Sequence, residues 1–105
     1  MGILVICSYK PKSGRENDAR RLMDGHVPLL RQHGLVSERS VVRGLGKSGE
    51  LVEIFEWVSE EKSRAAPTVA EVGAHWKAMA EAMDFVALAS VPEAQAPFAH
   101  FTPLG

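Results

Sequence analysis

The run Leu51-Val52-Glu53-Ile54-Phe55-Glu56-Trp57-Val58 carries large apolar side chains on both sides of an extended backbone. Side chains alternate along a strand, so Leu51, Glu53, Phe55 and Trp57 share one face, and Val52, Ile54 and Val58 lie on the other. An antiparallel strand with one wet face would read apolar, then polar. This one predicts cover on both sides. Helices of the same chain can supply one cover, and a second copy of the chain is the economical source of the other.

The same pattern organises what flanks this strand. Residues 3–9 are β-rich and nearly all apolar, as in a central strand. Ser13-Gly14-Arg15-Glu16 reads as a capping box, a hydroxyl followed three residues on by a carboxylate, and predicts a helix start. Ala19, Leu22, Met23, His26, Leu30 and His33 then recur at threes and fours, with Gly34 as the C-cap. Gly25 and Pro28 interrupt this helix and predict a kink, or two abutting helices around a curved sheet. Residues 36–45 read as a more polar strand, at an edge or a subunit boundary, and residues 44–49 as the hairpin loop after it. Gly46-Lys47-Ser48 lacks the upstream glycine and the following helix of a phosphate-binding loop.

Beyond the central strand, Ser59 caps a short helix that Pro67 must end. Thr68-Val69-Ala70-Glu71 reads as a second capping box, opening a helix with Val72, His75, Trp76, Met79 and Met83 on one stripe. Residues 84–90 are too apolar throughout to assign, and a bent continuation of the helix is the reading they allow. Residues 97–103 form a last strand bracketed by prolines, as at an edge. The order is strand, helix, strand, strand, helix, strand. That is an α+β chain of ferredoxin-like split βαβ type, a four-stranded antiparallel sheet with helices on one face. Its other face would be a large apolar patch in water, and two such sheets meeting would bury it.

Composition narrows the possibilities. With 105 residues, 46% hydrophobic and 24% charged, the chain makes a single domain, residues 1–105, with ample core material. A net charge of −1 with no basic stripe gives no basis for nucleic-acid binding. Cys7 alone permits neither an internal disulfide nor a cysteine-rich zinc site, and is expected to be an inert buried thiol. No stretch has the makeup of a signal peptide or the length of a membrane span, so a cytoplasmic protein with no membrane partner is expected.

The Val52 to Trp57 strand, its exit through Trp57-Val58-Ser59-Glu60-Glu61, the His75-Trp76 pair and the closing Pro97-Phe98-Ala99-His100-Phe101 together resemble the antibiotic biosynthesis monooxygenase-like proteins of the dimeric α+β-barrel superfamily. The resemblance spans the chain and rests on pattern and order. It implies a homodimer whose sheets pair into a barrel, with a cavity between sheet and helices in each subunit. Members include enzymes that oxidise aromatic polyketides or quinols with dioxygen and no cofactor, haem-degrading enzymes, and proteins with no assigned reaction, so the fold does not fix the function.

Cofactor-free oxidation needs an apolar cavity, a group that takes a phenol proton, and donors that orient the anion. His75 and His26 are the candidate bases, against the plainer reading of packed histidines. Trp76, Tyr9 and Arg43 are candidates to bind the substrate, a small apolar or aromatic molecule. Trp57, Glu53 and Phe55 are assigned to the dimer interface, Glu53 pairing there with Arg43 or Arg39 because a buried carboxylate needs a partner. No metal site is expected: His26 and His33, seven residues apart on one helix, lie roughly 10 Å apart, too far to share an ion. A non-enzymatic ligand-binding or interaction module is the alternative. Haem binding or degradation stands third, since Asn17, Trp76 and His75 do not fall where the haem-degrading branch places its Asn, Trp and His.

Overall fold

The computed structural model describes residues 2–105. Five strands form one open antiparallel sheet: β1 (Ile3–Pro11), β2 (Val42–Leu45), β3 (Leu51–Trp57), β4 (Met83–Val86) and β5 (Thr102–Pro103), in the spatial order β4-β1-β3-β2-β5. Three helices accompany them, α1 (Glu16–Gln32), α2 (Glu60–Ala65) and α3 (Ala70–Ala82). None is long and apolar enough to cross a membrane.

β1 pairs along the whole of β3, with Ile3 opposite Trp57, Cys7 opposite Glu53 and Tyr9 opposite Leu51. Odd-numbered positions of both strands therefore point to one side, where α1 and α3 lie. There Leu51, Glu53, Phe55 and Trp57 are all buried. One core cluster joins Val27 and Leu30 of α1 to Phe55, Trp57 and Val72; a second joins Ala19 and Met23 to Tyr9, Leu51, Met79 and Met83.

Most of the stripe expected on α1 is buried: Ala19, Met23, His26 and Leu30 face the sheet, joined by Val27, while Leu22 and His33 are half-buried. The helix runs unbroken through Pro28. Its C-terminus is a Schellman turn, in which Gly34 adopts φ +69° while its amide donates to Arg31 and that of Leu35 to Leu30. The two capping boxes do not form. Arg15 occupies the first N-cap and Val69 the second, neither with a side-chain cap. Gly14 turns the chain at φ +80° just after Ser13, and the Thr68 hydroxyl instead donates back to the Ala65 carbonyl, at 2.6 Å. Ser59 does cap α2, accepting the Lys62 amide at 3.1 Å.

Three strand expectations need correction. The sheet has five strands in place of four, because residues 83–86 leave α3 as β4 and pair with β1 from Ser8 to Pro11. The C-terminal strand shrinks to Thr102–Pro103 and adds beside β2. The second strand is only Val42–Leu45, with Val36 bridging to Trp57 upstream of it. The hairpin loop between β2 and β3 closes as expected, through Gly46 and Glu50, with Gly49 at φ +92°.

Even-numbered positions of β1 and β3 form the outer face. The C-terminal segment covers one end of it: Val91 is fully buried, and the Phe101 side chain lies so near β2 that a Cβ on Gly44 would come within 2.8 Å of it. The other end is bare. Ile6, Ile54 and Val42 make a row across three paired strands, with Leu4 beside it. Leu4 is 61% exposed and Val42 58%.

Candidate functional site

Glu53 sits in the middle of β3 on the inner face, between Cys7 on β1 and Arg43 on β2, and is fully buried. Two donors converge on its Oε1. The Tyr9 hydroxyl approaches from β1 at 2.8 Å and His26 Nδ1 from α1 at 2.8 Å. On the far side of the imidazole, Trp76 Nε1 of α3 donates to His26 Nε2, also at 2.8 Å. An indole nitrogen can only donate, so Nε2 carries a lone pair and the imidazole proton resides on Nδ1. The resulting chain is directional: Trp76 donates to His26, His26 to Glu53, and Tyr9 to Glu53. His26 is thus neutral, and the carboxylate is acceptor for both groups.

The arrangement leaves unspent capacity. Glu53 Oε2 is buried without a partner, as is Ser8 Oγ. A carboxylate held in apolar surroundings by two neutral donors imposes its charge on its neighbours. The Tyr9 hydroxyl is pushed well above the usual phenol range, by burial first and by the Glu53 charge second. The Cys7 thiol is pushed up to about 11, mainly by burial, with Glu53 adding and the Tyr9 hydrogen bond opposing. Cys7, expected to be buried, is only partly so, and the shift holds it toward its protonated, less nucleophilic form.

Tyr9, His26 and Trp76 line a cavity of about 350 Å³ between the sheet and α3, together with Cys7, Phe55, Trp57, Met79 and Phe85. The volume lies in the range of small-molecule sites. It opens beside β1 where β4 stops, since β4 pairs only from Ser8 onward and leaves the Ile3 to Cys7 edge free. Phe85, 56% exposed, stands edge-on to Tyr9 at 5.6 Å between ring centres. No lysine or arginine borders the cavity.

Of the residues expected at a site, the structure brings together His26, Trp76 and Tyr9. His75 does not line the cavity. Its Nε2 lies 2.8 Å from the Leu22 carbonyl and its ring stacks on that of His26, so it braces α3 against α1. Arg43 is likewise elsewhere, paired with Asp24 of α1, and Arg39 pairs with Glu56. Neither reaches Glu53. Phe55 and Trp57 pack edge to face at 5.3 Å beneath α1 and α3. The burial of Glu53, Phe55 and Trp57, assigned above to a subunit boundary, is accounted for within one chain. The missed element was the partnership of Tyr9, His26 and Glu53. Its one legible signal was parity, since Tyr9 and Glu53 fall on the same face of adjacent strands.

Among the described residues no three His, Cys, Asp or Glu side chains converge to hold a metal ion. Compared with protein-family models, curated proteins and solved structures, the chain matches none.

Proposed function

We propose that the chain is a ferredoxin-like subunit of a homodimeric α+β barrel, of the antibiotic biosynthesis monooxygenase-like kind, that binds a small aromatic molecule and oxidises it with dioxygen. The observation that carries this reading is a neutral histidine on the cavity wall, its Nδ1 proton donated to a buried carboxylate and its Nε2 lone pair facing the Trp76 indole, in a largely apolar pocket. Such a pair is a general base. Glu53 fixes the tautomer and stabilises the imidazolium formed when Nε2 takes a proton, as the carboxylate does in a catalytic triad.

A bound phenol that yields its proton to His26 becomes an electron-rich phenolate, the species that can pass an electron to dioxygen. In the overall reaction, phenol plus dioxygen gives quinone plus water: one oxygen atom ends on a ring carbon as a carbonyl, and the other leaves as water with the one hydrogen that carbon carried and the hydrogen of the phenol hydroxyl. The substrate supplies all the electrons, so no cofactor is required. The Tyr9 and Cys7 groups, both shifted toward their protonated forms, stay neutral beside the anion. The bare row of Ile6, Ile54, Val42 and Leu4 is the surface on which a second copy would pack.

The test is dioxygen uptake with a panel of di- and trihydroxylated naphthalenes and anthrones. His26→Gln is expected to lower the rate by about 10²- to 10³-fold while binding persists. An unchanged rate removes His26 as the base. A second reading, ligand binding without chemistry, draws on one observation: His26 Nε2 is already satisfied by Trp76.

A further inference from the structure

The donor that occupies the candidate base points to how the site chooses what it binds. Two of the side chains bordering the cavity spend their protons inside the protein. Tyr9 spends its proton on Glu53, and Trp76 spends its own on His26. The lone pair on His26 Nε2 is a strong side-chain acceptor on the wall, and with His26 buried to 4% exposure it needs a hydrogen bond in every state of the protein. With the cavity empty, the indole meets that requirement.

We propose that Trp76 is a displaceable donor: a ligand seats by giving a hydroxyl proton to His26 Nε2 in place of the indole N–H, so the site selects neutral hydroxylated aromatics and sheds molecules that can only accept. An ether, ketone or quinone of the same shape has no proton to offer this nitrogen. When such a molecule occupies the cavity, the indole keeps its bond and the polar end of the ligand gains nothing from His26. A carboxylate fares worse, because it brings a second negative charge toward Glu53, with no cation on the wall to balance it. The same rule separates substrate from product for the reaction proposed above: an oxidation that turns a hydroxyl-bearing ring into a carbonyl removes the proton that won the exchange. Trp76 then recaptures His26, and release follows.

Trp76 is placed to move between two states. It packs at the margin of both core clusters and is only half-buried. The open side of the cavity, by Phe85, gives the ring somewhere to go.

This inference rests on the ligand class proposed above but does not depend on turnover, and the test separates the two. Wild-type protein labelled with ¹⁵N is titrated with 1-naphthol, 1-methoxynaphthalene and 1-naphthoate while the indole N–H resonance of Trp76 and the ring nitrogens of His26 are followed. Naphthol is expected to shift the Trp76 proton resonance, as the indole N–H exchanges His26 for solvent at the open side, and to bind about tenfold more tightly than the ether, which gains no bond to His26. Naphthoate should bind more weakly still. Trp76→Phe should widen the naphthol-to-ether ratio by about a further factor of ten, because the competing donor is gone and the ether leaves Nε2 unpaired. Equal affinity for naphthol and ether, a Trp76 resonance that ignores naphthol, or no saturable naphthol binding at millimolar concentration overturns the proposal. The exchange seen without dioxygen uptake from the hydroxylated panel leaves it standing and removes the oxygenase reading. Binding without the exchange does the reverse.

Discussion

The two faces of the sheet invert the usual division of residue types. The inner face, shut off by α1 and α3, buries Glu53, Tyr9 and His26, with Tyr9 and His26 both donating to Glu53. The outer face, at its uncovered end, shows Leu4, Ile6 and Val42 to solvent. Hydrophobic patterning thus says that both faces need cover, but not which face carries the chemistry. A buried polar group has to be justified by its partners. On the inner face those partners line a cavity, whereas an apolar row in water asks only for another apolar surface.

Deleting the inner carboxylate gives the largest expected effect. Glu53→Ala strands the Tyr9 hydroxyl and His26 Nδ1 as buried donors and leaves a void, costing about 3 kcal/mol in urea unfolding. Glu53→Gln keeps a carbonyl oxygen for both donors and should cost under about 1 kcal/mol. Equal losses would mean that the charge, and not the acceptor, is what this face needs. On the outer face the same bulk of change should barely register in folding: Leu4→Lys with Val42→Lys is expected to shift monomer stability by less than about 0.5 kcal/mol. It should instead weaken self-association by at least about a hundredfold, the scale of a hot-spot loss, in sedimentation equilibrium. A wild-type protein that stays monomeric at micromolar concentration would break the comparison, leaving the bare row unexplained by a second copy.

How much of this was legible in the sequence follows from the range of each interaction. The β1 and β3 strands, the α1 stripe, the Ser59 cap and the helix bearing Trp76 all rest on local periodicity or capping, and they are where the pattern puts them. β4 was hidden because Met83-Asp84-Phe85-Val86 follows α3 with no glycine or proline between them; tertiary pairing with β1 ends the helix there. The capping boxes failed for a related reason, since Gly14 turns the chain before Ser13 can reach a helical amide, and a lone motif does not outrank the path the chain must take. At the site, His26, Tyr9 and Trp76 were readable as residues and Glu53 as an anomaly. Its partner was not. His26 lies 27 positions away on another element, and a neighbouring-strand arginine is the nearer guess when only strand order is known.

The smallest effect tests whether the inner face is as dry and as negative as its geometry implies. The Cys7 thiol is raised from 9.0 to about 11, chiefly by burial. An acid whose folded pKa lies above its unfolded one binds more protons when folded, so its contribution to stability is complete below pH 9 and fades as pH climbs toward 11. At pH 10 that loss is on the order of 1 kcal/mol. Tyr9, shifted the same way by burial and by Glu53, adds a further loss that begins near pH 10. Urea unfolding under reducing conditions from pH 8 to pH 10.5 should therefore show stability falling, and Cys7→Ala should remove the first part of the fall while leaving the second. A flat profile would mean that the cavity admits enough water to hydrate both groups. In that case the hydrogen bond from Trp76 to His26 would be competing with solvent and not with a ligand.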